Sequence, residues 1–326
     1  MFFNENILLT RIIISLRSVL SIVVDLIDFH GVSRHLKTFF LLLGAIWCSL
    51  ASLAGAEAIE SEHDKSAYHL FRPTPRAQMR EMSTDRPDKT ESAYTVDAGH
   101  FQFEMDILSY GHDRDKSGGG DTSTDAYAVA PVNLKLGLLN NVDLQVVIDT
   151  YNSVREHDHV AGTVEKRSGF GDITTRLKVN LWGNDGGPTA LAMMPFLKFP
   201  SNQDGLGNDA VEGGVIFPLA VELPAGWGMG LMTEVDFPRD EPDDGSYHAS
   251  FVNSITFSHD IHGKLGGYVE FYSEVSTEED SRWIGTLDLG LTYGLTDDIQ
   301  LDAGVNIGVT DSADDVNPFV GMSWRF

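Results

Sequence analysis

The sequence predicts an all-β fold: an antiparallel transmembrane β-barrel of about twelve strands, preceded by an N-terminal signal peptide. Three observations carry that expectation. Val320, Met322, Trp324 and Phe326 fall on one face of the final segment, and Gly321, Ser323 and Arg325 on the other. A period of two marks a strand with one apolar and one polar side. The same alternation recurs along the chain, and its polar face carries ionisable groups that a dry sandwich core could not hold unpaired. The links between segments alternate between short turns and longer loops, the rhythm of a membrane barrel.

The amino end reads as a leader. Arg34, His35 and Lys37 precede an apolar run over residues 38–53, and Ala54, Gly55, Ala56 and Ala58 follow. That order gives a charged n-region, an h-region and a small-residue cleavage site, with cleavage expected after Ala56 or Ala58. The earlier apolar stretch, 7–27, is broken by Arg11, Arg17 and Asp25 and makes a poor spanning helix. It reads as a long n-region or a start codon placed too far upstream. Cys48, the single cysteine, lies within the h-region, so the mature chain holds no disulfide, cysteine nucleophile or thiolate metal site. The leader carries equal numbers of basic and acidic residues, so the net charge of −25 stays with the mature protein. Such a charge repels nucleic acid and excludes that partner class.

Residues 1–58 are therefore assigned to the extension and signal peptide, 59–93 to a periplasmic lead-in, and 94–326 to the barrel. The lead-in is polar and holds Pro73, Pro75 and Pro87. Alternation begins after it. Phe101, Phe103, Met105 and Ile107 oppose Gln102, Glu104 and Asp106. Val142, Leu144, Val146 and Ile148 oppose Asp143, Gln145 and Asp149. Ile173, Leu177, Val179 and Leu181 oppose Arg176, Lys178 and Asn180. Strands are expected over 99–110, 125–138, 142–155, 169–182, 188–200, 211–223, 227–238, 246–259, 264–275, 281–294, 299–310 and 315–326. The fifth and sixth have the weakest pattern: Met193, Met194, Pro195 and Phe196 are apolar on both faces, and the proline suits an edge, bulge or kink. Turn chemistry marks Asn140-Asn141, the run from Asn184 to Gly187, and Pro224-Ala225-Gly226. Tyr110, Tyr151, Trp182, Trp227, Phe237, Tyr247, Phe257, Trp283, Tyr293, Trp324 and Phe326 gather near segment ends, as interfacial girdles do.

Thr84-Asp85-Arg86-Pro87-Asp88, then the run from Gly99 to Glu104, then Gly169-Phe170-Gly171-Asp172 with Lys178 on the same strand, resemble the outer-membrane barrel family labelled "MetA-pathway of phenol degradation". The resemblance covers about residues 84–326. It implies a barrel in the bacterial outer membrane and a transport role for small, hydrophobic or aromatic compounds. The long amino-terminal extension departs from the family pattern.

The candidate functional constellation is the set of ionisable residues that alternation turns toward the lumen: Glu104, Asp106, Asp143, Arg176, Lys178, Glu234, Glu270, Asp288 and Asp302, with Lys135, Asp149, Asp172, Lys198, Asp236, Glu274 and Arg282 beside them. A charged wall sets selectivity in a channel, and its acidic excess favours cations. The same residues could instead fill a narrow barrel with salt bridges. Twelve strands lie between filled eight-stranded barrels and open sixteen-stranded porins, which leaves both readings standing.

No cofactor or metal is assigned. The acidic outer loops, residues 240–244 and 278–280, read as solvated, and His157 with His159 lack a fixed third ligand. No catalytic group is assigned either: Ser250 near His248, and Ser258 beside His259, stand outside any barrel-lipase context. The expected function is an outer-membrane transporter or channel for small molecules. The alternative is a structural or surface-interaction barrel with a filled lumen. The expected partners are outer-membrane lipids, a small solute and the barrel-insertion machinery, which would read Trp324 and Phe326 as an assembly signal.

Overall fold

A computed structural model describes residues 64–240, 245–278 and 281–326. The expected signal peptide and cleavage site lie outside the described residues, as do parts of two acidic outer loops. Strand propensity and period-two alternation produce what they should, twelve antiparallel strands in one closed sheet. The first is Phe101–Asp115. The second runs in two pieces, Thr122–Val129 and Val132–Leu139. The third is Val142–Ile148 and Tyr151–Asp158, and the fourth Thr163–Gly169 and Ile173–Trp182. The remainder are unbroken: Thr189–Phe199, Glu212–Leu223, Trp227–Phe237, Ser250–His262, Leu265–Ser276, Ile284–Thr296, Ile299–Gly308 and Val316–Arg325.

The three broken strands are neighbours, and their breaks lie side by side. Val129 pairs with Tyr151 just above the breaks, while Val132 pairs with Ile148 and Ile148 with Ile173 just below. Each break has a local cause. Ala130 takes a positive φ of 55° and Pro131 lacks an N–H, so the second strand cannot continue its ladder there. Gly171 packs so tightly against Asp149 and Asn152 that a side chain would not fit. The outer piece of the fourth strand pairs with the third strand alone, which carries this hairpin past the closed wall. The expected segments at 125–138, 142–155 and 169–182 ran unbroken across these points, and the first was expected to end at 110, five residues short.

Closure joins the last strand to the first. Phe103 pairs with Trp324 and Met105 with Met322, and the main chains of Phe101 and Phe326 exchange hydrogen bonds of 3.1 and 2.9 Å. Removing the free edge is what makes a sheet tolerable in lipid, where an unpaired N–H costs several kcal/mol. The seam is stapled on its outer face: the Phe101 and Phe326 rings stack at 6.0 Å, and Phe103 meets Trp324 edge-on at 5.7 Å. Leu134, Leu144, Leu177, Val269, Leu287, Leu289, Leu291 and Val320 all point outward and are exposed, forming the lipid-facing band.

The fifth and sixth strands are regular despite Pro195 and Pro218, and their apolar inner face has a role. Met194, Ile216, Met232 and Val252 cluster inside the barrel, with Phe196 and Tyr272 against them. Ala190 and Ala192 form a second apolar patch that receives Ala93 and Tyr94. Those last two residues precede the first strand, so the amino-terminal segment enters the barrel.

If the outward band faces lipid, Leu289→Arg at the centre of the tenth strand will lower the unfolding free energy in lipid vesicles by about 2–4 kcal/mol, the cost of a cation near the bilayer midplane. Denaturant titration of the vesicle-inserted protein measures it, and an unchanged midpoint would mean that this face looks elsewhere.

Candidate functional site

The lumen is occupied by a segment of which residues 84–93 belong to the expected periplasmic lead-in and 94–97 to the expected barrel. Residues 84–97 thread the barrel, and the wall residues expected to line an aqueous path bind it. The arrangement is a charge exchange. Asp85 is held by the ammonium groups of Lys135 on the second strand and Lys178 on the fourth. Lys135 also pairs with Glu104 of the first strand, whose second oxygen accepts the Asp85 N–H at 2.9 Å. Gln145 donates to Asp85 Oδ2, the oxygen that Lys135 also contacts, at 3.3 Å. The next residue reverses the polarity. Arg86 gives Nε and Nη2 to Asp302 at 3.0 and 2.7 Å, gives Nη2 also to Asp106 at 2.7 Å, and lies over the Phe319 ring. Bidentate guanidinium–carboxylate pairing is the strong, oriented form of this contact.

The pattern continues along the segment. Lys89 approaches Asp288 at 3.4 Å, donates to Thr286 at 2.9 Å and sits over the Tyr272 ring. Glu270 uses both oxygens to cap the N–H groups of Lys89 and Thr90, each at 2.8 Å, while the Thr90 hydroxyl donates to it at 2.5 Å. Glu91 pairs with Arg176 at 2.6 Å. Asn180 donates to the Ala93 carbonyl, and Asp143 accepts the Val96 N–H at 3.0 Å. Wall carboxylates thus serve as partners for an irregular backbone that has no ladder of its own.

Two glycines make room. Gly321, on the polar face of the last strand, lies under the Arg86 guanidinium, and a Cβ there would collide with it. Gly137 lies against the Asp97 carbonyl in the same way, and Gly99 donates to the Gly137 carbonyl at 2.8 Å. Below this level the segment is tied to the turns. Arg80 bonds Asp97, Asn140 and Asp185, and Arg325 bonds Asp298 and the Arg80 carbonyl.

Of the nine wall residues proposed from alternation, Glu104, Asp106, Asp143, Arg176, Lys178, Glu270, Asp288 and Asp302 converge on this one segment. Glu234 lies instead beside Asp236, on the same inward face of the seventh strand. Trp324 and Phe326 lie on the outside of the seam, away from the lumen. Sequence reasoning singled out Asp85 and Arg86 only as part of the family element, without a role in the lumen, and passed over Lys89, Thr90 and Glu91. Their density of alternating charge was the available signal. The serine–histidine candidates are engaged elsewhere: Ser250 donates to Glu274 at 3.0 Å, His248 bonds Asp240, and the His259 ring stacks on Trp227.

Outward of the segment is a cavity of about 360 Å³, lined by Ser109, Gly111, Ala126, Ala128, Asn152, Arg167, Asp314 and Asn317 among others. The loop between the fifth and sixth strands borders it through Gly205 and Leu206. Asp172 anchors that loop, accepting from Asn202 at 2.8 Å and from the Asn208 N–H at 2.7 Å.

Residues 84–326 match the family model described as "Putative MetA-pathway of phenol degradation". The match starts at Thr84 and so includes the lumen segment along with the strands. The COG4313 outer membrane channel from Pseudomonas putida F1 is similar in structure, at 11% identity and a TM-score of 0.53, covering 75% of this chain and 100% of that chain. The transport unit of the autotransporter AIDA-I from Escherichia coli covers 75% of this chain and 93% of its own, at 13% identity and a TM-score of 0.43. No curated protein matches the chain in sequence. The fold is that of an outer-membrane barrel.

The tie at the short-turn end has a pH signature. Burial pushes the Asp298 carboxyl up, but the Arg325 and Arg76 guanidinium groups hold it below its ordinary value. A carboxyl depressed in the folded state stabilises above its unfolded pKa of about 3.9, and that contribution disappears as pH falls through the folded value. The difference in heat-denaturation midpoint between wild type and Asp298→Asn should therefore be present at neutral pH and close below about pH 4. A difference that persists unchanged into acid would contradict the assignment.

Proposed function

Because the chain belongs to the MetA-pathway of phenol degradation family, we propose that it is a gated outer-membrane channel for small organic molecules, with hydrophobic or aromatic solutes as its cargo class. The lumen segment is the gate. One observation carries this reading: the segment is held by side-chain pairs and carboxylate–amide bonds, with no strand ladder joining it to the wall. Such contacts can be exchanged for water one at a time, so the segment can leave without opening the barrel. The outer cavity supports the cargo class. Its volume of about 360 Å³ lies in the range of small-molecule pockets. Asn152, Arg167 and Asn317 at its wall supply hydrogen bonds for a polar substituent. Outer-membrane lipids are the proposed partners of the apolar band, and the barrel-insertion machinery that of the exposed Trp324 and Phe326 rings.

A permanently filled structural barrel is the second reading, and the several buried ion pairs between segment and wall favour it. Arg86→Ala separates the two. Removing one partner of a buried ion pair costs about 3–5 kcal/mol, so the variant should raise the flux of a phenolic solute into proteoliposomes by at least about tenfold over wild type. If wild type and variant both match empty liposomes, the channel reading fails and the structural one stands.

A further inference from the structure

The outer rim holds a cluster that neither the lumen nor the channel reading uses. Asp240 and His248 face each other on an extension of the hairpin joining the seventh and eighth strands. The Asp240 N–H donates to the Ser246 carbonyl at 3.0 Å, and the His248 N–H to the Pro238 carbonyl at 3.1 Å. Between those two bonds Arg239 bridges Tyr247. The side chains meet, with His248 Nδ1 and Asp240 Oδ1 2.6 Å apart.

A third group arrives from the loop after the ninth strand. That loop is tied to the residue next to His248: Thr277 N–H donates to the Ala249 carbonyl at 2.8 Å, and the Ala249 N–H to the Thr277 hydroxyl at 3.0 Å. The Glu278 N–H is fixed by Ser276 Oγ at 3.0 Å. Glu278 is thereby set beside the pair, and one ligand atom from each of Asp240, His248 and Glu278 lies within 4.8 Å of the others.

We propose that these three residues bind a divalent cation of the zinc class. The donor set decides the class. An imidazole nitrogen with two carboxylates is the ligand chemistry of zinc and its first-row neighbours, whereas calcium and magnesium sites are built from oxygen. Ser246 Oγ donates to the remaining Asp240 oxygen at 2.5 Å, the kind of outer contact that orients a ligand carboxylate. Asp240 and His248 are half-buried and Glu278 is exposed, so a fourth position opens to water. Bond lengths of about 2.0–2.2 Å require the three groups to draw together slightly, which two surface loops can do. The bound ion would clip the loop after the seventh strand to the loop after the ninth.

The sequence hid this set. Its members are separated by eight and thirty residues, and the histidine pair that does stand out, His157 and His159, sits on the far outer hairpin with rings 4.0 Å apart. The test is calorimetric titration of the folded, chelator-treated barrel in detergent with zinc, followed by cobalt as a spectroscopic probe of coordination. One equivalent should bind, with a tetrahedral cobalt spectrum. His248→Ala and the conservative, exposed Glu278→Gln should each weaken it by at least about tenfold, while His157→Ala/His159→Ala should leave it unchanged. Heat-shifted gel migration verifies that each variant is folded. Absence of zinc binding, insensitivity to both rim variants, loss in the histidine-pair variant, or calcium binding with equal affinity would each overturn the proposal.

Discussion

Everything inside this barrel depends on matching buried charge. A lumen that is lined with carboxylates and closed off from bulk water cannot leave them bare, since an uncompensated buried ion costs several kcal/mol. The match is made by two adjacent residues of opposite sign. Asp85 collects the two lysines of the second and fourth strands, and Arg86 collects the aspartates of the first and eleventh. One dipeptide therefore braces four strands across the lumen. Lys178 and Asp288 are completely buried, which only such pairing makes tolerable. The glycines at 137 and 321 belong to the same constraint: they lower the wall where the segment must pass close to it.

How the chain reveals this is uneven. The wall is written in period two, and a strand such as 299–308 announces both its faces by alternation alone. The inward set from Glu104 to Asp302 was readable for the same reason. Alternation has no means of reporting what fills the space it encloses. Residues 84–97 have no period, and their hydrogen bonds go to side chains up to more than two hundred residues away, as from Arg86 to Asp302. The fifth strand shows the cost of that blindness. Met193 to Phe196 read as apolar on both faces, and only the inner cluster of Met194, Ile216, Met232 and Val252 explains the inward apolar side. The three aligned strand breaks were only partly legible: Pro131 and Gly171 stand in the sequence, but a positive φ at Ala130 is not what an alanine announces.

The functional picture follows from where the strong and the exchangeable contacts lie. The closed ladder of twelve strands is the permanent part. The segment inside is fixed by ion pairs and amide–carboxylate bonds, each replaceable by water or by a competing solute group. The outer cavity, bordered by the loop that Asp172 anchors, lies on the approach to it. The rim cluster at Asp240, His248 and Glu278 would add a second, separate control by tying two outer loops together. If the segment is the proposed gate, the channel stays sealed while it is seated and opens when the segment's charges find other partners.

The most direct test locks the segment in place. Thr90 and Ser254 face each other across the segment–wall boundary with their hydroxyl oxygens 2.6 Å apart, close enough for a disulfide in the Thr90→Cys/Ser254→Cys variant. Solute flux into proteoliposomes should fall to the level of empty vesicles when the pair is oxidised and recover on reduction. Equal flux in the oxidised and reduced forms would show that solutes cross without moving the segment, and would contradict its assignment as the gate.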